Sequence, residues 1–299
     1  MKDFNELLTL LKEKDEQKLV LSGAEDIEAL KAVKEASDMG IISSILVGNP
    51  EVIKKNCEEV ELTNYEIVSA ASEEETAEKS VKLISSGSGT VLMKGMIKTA
   101  KLLKATLNKE WGLRTGRLLS HVAVASTPVL KKMIAITDGG MNLLPTLEEK
   151  IDIITNAVEL MKTLGVDTPK VAPIAAVEVV NPKMPPTVDA AILSKMNSRG
   201  QIKGCIIDGP LGLDNALSEF AASIKKIPGD VAGNADILLV PDIHSGNFLG
   251  KSVEYIGGGT IGGLIMGAQV PIVIVSRADK AEAKLASIAL GVVNSVNHK

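Results

Sequence analysis

Ser276 and Arg277 end a short apolar run, PIVIVS, that is typical of a buried strand. The guanidinium of arginine offers a planar fork of donors that suits a phosphate group. A helical pattern follows at 278–291, and the amides at the start of a helix form a positive end that attracts anions. We therefore take Ser276 and Arg277 as the catalytic candidates, acting on a phosphate group; the alternative is an arginine at the surface after a strand.

Three other strand-like runs also end in polar residues: Asp138 in ITDGGMN, Asp208 in IIDGPLGLD, and the loop Asp242–Asn247 in LLVPDIHSGN. Ligands of open α/β sheets bind beyond the carboxyl ends of the strands, so these positions favour a shared site. The alternative is that each aspartate caps the next helix or braces a turn. For a single aspartate the two interpretations are about equally good, whereas the set favours a site.

Seven basic residues lie between 94 and 117, which makes this the most positive stretch of the chain. It could hold the phosphate groups of a ligand electrostatically, or it could be a solvated helix face. Of the histidines, His244 lies in the Asp242–Asn247 loop, while His121 falls within a predicted strand. The substrate-binding candidates are Lys104, Arg114, Ser120, Asp208, Asp242, His244, Gly246 and Asn247. The spacing of the histidines and of Cys57 and Cys205 suggests no metal site.

The run GGGTIG at 257–262 matches the glycine pattern of dinucleotide-binding loops. That loop should follow a buried strand, but the preceding KSVEYI is more typical of a helix. Close packing of a helix against small residues, or a helix break, explains these glycines better.

Apolar runs alternate with helical patterns along the whole chain, which predicts an α/β fold with mainly parallel sheets flanked by helices. Strands are predicted at 18–21, 42–48, 90–94, 118–124, 132–138, 170–177, 203–209, 236–242 and 271–276. Helices are predicted at 24–40, 73–87, 145–165 and 278–291. Breaks near 139–145 and 255–271 predict a discontinuous first domain, 1–140 with 265–299, and an inserted second domain, 141–264, with a cleft between them.

The composition limits the class of protein further. Aromatic residues make up only 2% of the 299 residues and the formal net charge is −4, so nucleic acid is not an expected partner. We find neither a signal peptide nor a membrane-spanning run, and we expect a cytoplasmic protein.

Six segments in this order resemble the phosphate acetyl/butyryl transferase family: MKGMIKTAKLLKA, GLRTGRLLSHVAV, TDGGMNLLPT, IDGPLGLDNA, LLVPDIHSGN and VIVSRADKAE. The resemblance runs from about residue 20 to 290, and the MKG and GLRTGRLLSHVAV forms are most similar to the butyryl-transferring branch. It implies a two-domain α/β fold with its active site in the cleft, and a homo-oligomer built from dimers. The implied reaction is butyryl-CoA + phosphate ⇌ butyryl phosphate + CoA, without metal or any cofactor beyond coenzyme A as substrate.

The resemblance also implies that Ser276 and Arg277 act in the site, with Lys104 at a position where relatives carry an arginine. Relatives have an aspartate shortly after the arginine as a candidate base, and that position is Ala283 here, next to Glu282. Either another carboxylate substitutes or no dedicated base is needed. Three alternatives stay open: a phosphate acetyltransferase with the same mechanism, an NAD-dependent dehydrogenase suggested by GGGTIG, and a non-catalytic CoA- or nucleotide-binding module.

Overall fold

The computed structural model describes residues 1–275 and 279–297, in two compact units. The first, which we call the N unit, contains Phe4–Arg117 and Gly262–Lys299. The second, the M unit, contains Met1–Asp3 and Leu118–Ile261. Ser276 and Arg277 lie outside the described residues.

The N unit is a twisted sheet with helices on its faces. Its elements are α1 (Phe4–Leu11), β1 (Gln17–Ser22), α2 (Ile27–Asp38), β2 (Ile42–Gly48), α3 (Pro50–Val60), β3 (Tyr65–Ser69), α4 (Glu73–Ser85), β4 (Val91–Lys94) and α5 (Thr99–Thr106). The strands β10 (Thr260–Met266) and β11 (Ile272–Val273) and the helix α11 (Ala281–Asn297) complete it, with α11 packed on α1 and α2. The strand order is β3-β2-β1-β4-β11-β10, and only β10 runs antiparallel to its neighbour β11.

The M unit has the strands β5 (Ser120–Ser126), β6 (Ile134–Thr137), β7 (Lys170–Pro173), β8 (Ile206–Ile207) and β9 (Ile237–Leu239). Its helices are α6 (Leu147–Thr163), α7 (Pro185–Ser198), α8 (Leu213–Leu217), α9 (Glu219–Lys225) and α10 (Ile243–Tyr255). The strand order is β5-β6-β9-β7-β8, parallel from β6 to β8, with β5 antiparallel to β6. Its core is built from Ala, Ile, Leu and Val, as the low aromatic content requires.

Side-chain caps determine where many helices begin. Asp26 accepts hydrogen bonds from the amides at the start of α2, and Asn49 does the same for α3, whose first residue is Pro50. Thr146 and Glu149 form a reciprocal capping box at the start of α6. These caps satisfy amides that have no partner within their own helix.

The predicted α/β class is confirmed, and each predicted strand overlaps a strand of the structure. The strands predicted at 170–177, 203–209, 236–242 and 271–276 shorten to Lys170–Pro173, Ile206–Ile207, Ile237–Leu239 and Ile272–Val273. The prediction omits β3 and β10. β3 is an edge strand with little buried surface, so its apolar signal is weak. In β10 the glycines indicate a break, but they serve close packing, because a Cβ on Gly262 would lie 2.9 Å from the backbone carbon of Ala286 in α11.

The division into units differs from the predicted domain limits at 1–3, at 262–264 and, over the longest stretch, at 118–140. The limits 1–140 with 265–299 and 141–264 put residues 118–140 in the first domain, whereas the structure has them in the M unit. The reason is strand pairing: β5 pairs with β6, and β6 pairs with β9. In the described part of the chain no helix is both long enough and apolar enough to span a membrane.

Candidate active site

The carboxyl ends of the parallel strands of the N unit border two neighbouring cavities. One, of about 430 Å³, is lined by the segments that follow β1, β2, β3 and β4. The other, of about 310 Å³, lies after β4 and is lined by Glu73, Lys94, Met96, Ile97, Lys98 and Thr99. The chain runs outward from β1 to β2 and β3 and then returns to β4 on the other side of β1. This topological switch point is where open α/β sheets bind their ligands.

The floor of this region is made by two backbone segments in direct contact. Gly95 donates its amide hydrogen to the carbonyl oxygen of Ser22 at 2.8 Å, and Met96 donates to that of Gly23 at 2.6 Å. Gly23 has a φ of +80°, and a Cβ there would lie 2.7 Å from the carbonyl carbon of Met96. A Cβ on Gly95 would in turn collide with the carbonyl oxygen of Gly23. Glycine is therefore required at both positions.

The seven basic residues of 94–117 do not form one helix face. Lys94 and Lys98 line the 310 Å³ cavity, while Lys101 forms ion pairs with Glu73 at 2.5 Å and Glu74 at 2.8 Å. The bond to Lys101 lowers the pKa of the Glu74 carboxyl, and the bonds to Glu73 and Glu74 raise that of the lysine.

Lys104 and Arg114, both predicted to bind substrate, are exposed in the N unit. Lys104 lies in the last turn of α5 and lines neither of the two cavities. Arg114 pairs through its backbone with Ala268, and the Thr115 hydroxyl donates to the carbonyl of Gly267 at 2.5 Å. The backbone around Arg114 is thus held against the turn that follows β10.

β11 leads towards the predicted catalytic pair and runs parallel to β4, with Val273 opposite Met93. The chain therefore leaves β11 in the direction in which it leaves β4 towards Lys94. Beyond Ser276 and Arg277, Glu282 is exposed in the first turn of α11, whereas Ala283 is buried.

In the M unit, the turn after β6 is organised by the buried carboxylate of Asp138. Its Oδ1 accepts the amides of Gly140 at 2.8 Å and Met141 at 2.9 Å. Its Oδ2 accepts the amides of His121 at 3.1 Å and Asn142 at 3.3 Å, and the Asn142 side-chain amide at 2.7 Å. The carboxylate of Asp138 thus braces a turn, which is the structural alternative considered for these aspartates.

Asp242 is the N-cap of α10. Its Oδ1 accepts the Ser245 amide at 2.8 Å and the Ser245 hydroxyl at 3.0 Å, and its backbone carbonyl accepts the Gly246 amide. The Ser245 amide in particular lowers the pKa of the carboxyl. The Ile243 amide donates to the carbonyl of Leu143 at 3.0 Å, so the start of α10 is satisfied within the protein.

The other predicted residues of this loop have different environments. Gly246 is buried against the turn after β6, where a Cβ on it would lie 2.6 Å from the Cα of Gly139. The Asn247 amide approaches the Gly139 carbonyl at 3.4 Å. His244 is exposed, and its ring centroid is 6.2 Å from that of Phe248.

Ser120 is fully buried and accepts a hydrogen bond from the Asn156 side chain of α6 at 2.8 Å. Its hydroxyl therefore anchors β5 to α6. The neighbouring His121 is half-buried, and its ring lies over Gly140, where a Cβ would be 2.8 Å from the ring Cγ. Of these two residues, His121 faces the Asp138 turn.

Asp208 follows β8, which is separated from β9 by β7 in the sheet. Burial raises the pKa of its carboxyl. The structure thus brings the Asp138 turn together with Gly246 and Asn247, while Asp208 lies two strands away from β9. In the N unit, sequence reasoning missed the contact of Gly23 with Gly95, for which the VLSGA and VLMKG strand ends are the available signal.

A further cavity of about 1310 Å³ lies in the M unit, lined by residues that precede β6 and β9 and by the segments that follow β7 and β8. None of the predicted substrate-binding residues lines it. The GGGTIG run also carries no dinucleotide site, since it follows the helix α10 and leads into β10.

The sequence matches the family described as phosphate acetyl/butaryl transferase over residues 3–85 and 70–292. The chain belongs to this family. It is 46% identical over 299 residues to a phosphate butyryltransferase of Clostridium acetobutylicum, a match that covers 99% of each chain. A phosphate acetyltransferase of Thermotoga maritima is 44% identical over 279 residues, covering 93% of this chain and 95% of that one.

The fold agrees with the family assignment. A crystal structure of a branched-chain phosphotransacylase from Enterococcus faecalis superposes with a TM-score of 0.84 at 34% identity. The match covers 93% of this chain and 99% of the other. The similarity therefore extends over both units and is not limited to one of them.

Proposed function

We propose that the chain is an enzyme that exchanges a short acyl group between coenzyme A and inorganic phosphate: butyryl-CoA + phosphate ⇌ butyryl phosphate + CoA. The observation that carries this proposal is the 46% identity, over nearly the whole of both chains, to a phosphate butyryltransferase. The lysines at the carboxyl edge of the N unit add support, because both substrates are anions.

The test of this proposal is phosphate-dependent release of free thiol from butyryl-CoA, followed with a thiol reagent. Thiol release that requires phosphate supports the transferase. A dehydrogenase or a non-catalytic CoA-binding module would release no thiol, and such a result with all acyl donors would refute the proposal.

We propose butyryl as the preferred acyl group and acetyl as the alternative. The Thermotoga phosphate acetyltransferase is nearly as similar as the butyryltransferase, and the Enterococcus structure is of a branched-chain enzyme. A methylene in an apolar pocket changes discrimination by only about 1–3 kcal/mol, so neighbouring chain lengths compete. Comparing kcat/KM for acetyl-, butyryl- and isobutyryl-CoA decides between them, and a preference for acetyl-CoA would favour the acetyltransferase.

In the proposed mechanism a phosphate oxygen attacks the thioester carbonyl, and the C–S bond breaks as the tetrahedral intermediate collapses. The electron pair leaves with sulfur as the thiolate of coenzyme A, which takes up a proton from solvent or from phosphate. Arg277 would hold phosphate and offset the charge of the intermediate, and Ser276 would donate a hydrogen bond to phosphate or to the oxyanion. Phosphate dianion is a competent nucleophile and thiolate a good leaving group, so a dedicated base is less necessary and Ala283 is tolerable.

Arg277→Ala tests this role. Loss of one such donor lowers turnover by about 10²–10³-fold. Arg199→Ala is the matched control, since Arg199 is exposed at the end of α7. Turnover of Arg277→Ala within a few-fold of the parent, with unchanged phosphate dependence, would contradict the assignment.

We further propose that the protein acts in the cytoplasm, needs no metal or additional cofactor, and forms a homo-oligomer built from dimers. Exposed apolar side chains in the M unit support the last point: Val129 is 86% and Phe220 76% exposed, beside the 1310 Å³ cavity. Light scattering on the parent and on Phe220→Ser tests it. A monomeric parent would refute the oligomer.

A further inference from the structure

Lys284 is a buried lysine in the first turns of α11, the helix that follows the predicted catalytic pair. The residue is 4% exposed, and its Nζ donates to the backbone carbonyl of Asp279 at 3.0 Å. Among the described residues no carboxylate forms an ion pair with this ammonium. A buried ammonium that meets a neutral acceptor costs stability, whereas an apolar side chain of similar length does not. The lysine is therefore better explained by what it holds in place than by a gain in stability.

The ammonium of Lys284 lies near the positive end of α11. Side chains of a helix point back towards its N-terminus, where the helix dipole is already positive, so this position adds to the cost of the charge. The exposed carboxylate of Glu28 in α2 lies within range: its pKa is lowered first by the hydrogen bond from Lys31, at 2.7 Å, and to a smaller extent by the charge of Lys284. The direct acceptor of Lys284 is therefore the main chain and not a carboxylate.

The helix that carries Lys284 is a fixed support. The hydroxyl of Ser287 accepts the amide hydrogen of Gly263 in β10 at 3.0 Å. At Gly291 the helix lies so close to the sheet that a Cβ would be 3.0 Å from Cγ2 of Val273 in β11. α11 is thus held against β10 and β11, and a side chain that reaches out from such a helix can fix a neighbouring backbone segment.

The carbonyl that Lys284 binds belongs to the second residue after Arg277. On the other side of the catalytic pair, Val273 of β11 is paired with Met93 of β4. The residues 274–278 therefore connect one point that is held by the sheet to another that is held by Lys284. Because each residue spans at most about 3.3–3.6 Å, the places open to the catalytic pair depend on both points.

We propose that Lys284 is a positioning residue for Ser276 and Arg277: its bond to the Asp279 carbonyl fixes the point at which the chain that follows the pair enters α11. This inference rests on the proposed function, in which the pair acts on phosphate and on the oxyanion. Without the bond, the backbone at Asp279 loses an anchor to α11, and a displacement of about 1 Å at a reacting group lowers the rate by on the order of 10²-fold. In this role Lys284 acts through the main chain and not by contact with a substrate.

The test is Lys284→Met, which keeps the length of the side chain and removes its donor. Lys55→Met, at an exposed position of α3 in the same unit, is the control and should stay within about twofold of the parent. The rate of thiol release gives kcat and the KM values for phosphate and for acyl-CoA. We expect kcat/KM for phosphate to fall by about 10- to 100-fold through a lower kcat and a higher KM for phosphate, with KM for acyl-CoA within about twofold. Tm should equal that of the parent or exceed it, because a buried charge is removed.

A merely structural role of Lys284 gives a different pattern. Loss of folded protein lowers Tm and the active fraction, which reduces kcat but leaves KM for phosphate unchanged. That pattern, or a kcat/KM for phosphate within about twofold of the parent, would overturn the proposal. Lys284→Arg keeps a charged donor and should lose less efficiency than Lys284→Met, and equal losses would overturn it as well. Thiol release by the parent tests the proposed function separately, so an active parent with an unaffected Lys284→Met refutes only the positioning role.

If Lys284→Met does not fold, the comparison of Asp279→Gly with Asp279→Ala replaces it. Both variants lack the carboxylate, and only glycine adds backbone freedom at the residue that Lys284 holds. We expect kcat/KM for phosphate to be about 2- to 5-fold lower with glycine than with alanine. Equal values for the two variants would overturn the positioning role.

Discussion

The carboxylate of Asp138 has a structural role that Asp138→Asn can measure. The substitution keeps the shape of the side chain but replaces one carboxylate oxygen by an NH₂ group, which donates instead of accepting. If the remaining oxygen takes the place of Oδ2, the amides of Gly140 and Met141 lose their acceptor. These two hydrogen bonds have lengths of 2.8 and 2.9 Å in the structure. If the amide group is turned over, the three bonds to Oδ2 are lost instead.

The expected cost follows from the number of donors left without an acceptor. Asp138 is 2% exposed, whereas Gly140 is exposed and Met141 half-buried, so water can replace part of the lost bonding and the lower end of the expected range applies. A buried donor without a partner costs about 1–3 kcal/mol, which gives about 2–6 kcal/mol for two of them. For a chain of this size each kcal/mol lowers Tm by about 2–4 °C, so Tm should fall by at least about 4 °C.

The assay is thermal unfolding together with phosphate-dependent thiol release well below Tm. Asp230→Asn is the control, because Asp230 is exposed in a loop of the same unit, and its Tm should not change. Our interpretation would be refuted if Asp138→Asn kept the Tm of the parent and lost its turnover. That pattern would make Asp138 a reacting group instead of a brace for the turn.

Three further predictions concern the same unit. Gly246→Ala should destabilise the protein by about 1–3 kcal/mol, because its Cβ would lie 2.6 Å from the Cα of Gly139. Gly250→Ala in the same helix is the control, because its Cβ would meet only a side-chain atom at 3.5 Å, and it should be neutral or stabilising. If denaturant unfolding showed equal effects of Gly246→Ala and Gly250→Ala, the packing argument would be contradicted. Asp242→Ala should cost about 1 kcal/mol of stability at neutral pH, because α10 loses its N-cap. The folded pKa of this carboxyl is lowered, so the difference in Tm between variant and parent should disappear as pH falls through that pKa. A difference in Tm that persists in acid would refute this. Asp208 has the opposite sign, because burial raises its folded pKa above the ordinary value of an aspartate. Its contribution to stability is therefore present below that ordinary value and is lost as pH rises through the folded pKa. Asp208→Asn should melt at or above the temperature of the parent at pH 7, and a clear loss of stability there would contradict this.

The sequence alone predicts the α/β class and the family. The class depends on the order of apolar runs, and the family depends on motifs of consecutive residues, which can be recognised without the tertiary structure. It cannot decide what each strand-end aspartate does. In the sequence, Asp138 and Asp242 fit a ligand site and a structural cap equally well. Only the structure shows that both carboxylates accept hydrogen bonds from backbone amides.

Other features were hidden because their signal is spread over distant segments. Lys94 belongs to a basic stretch that suggests a helix face, and only the pairing of β1 with β4 brings it opposite the buried hydroxyl of Ser22. The contact of Ser120 with Asn156, 36 residues further along the chain, has no local signal in the sequence either. Pairings of this kind depend on the tertiary fold, which local periodicity does not contain.

The contact between Gly23 and Gly95 has a consequence for protein engineering. The two loops that leave β1 and β4 touch through their main chains, so neither has room to change independently of the other. A chimera that imports 94–99 from an acetyl-transferring relative to alter acyl preference would inherit a loop shaped against that relative's own first strand. Exchanging 22–25 in the same step also transfers the surface against which this loop packs. The two loops at this edge should therefore be exchanged together in any redesign.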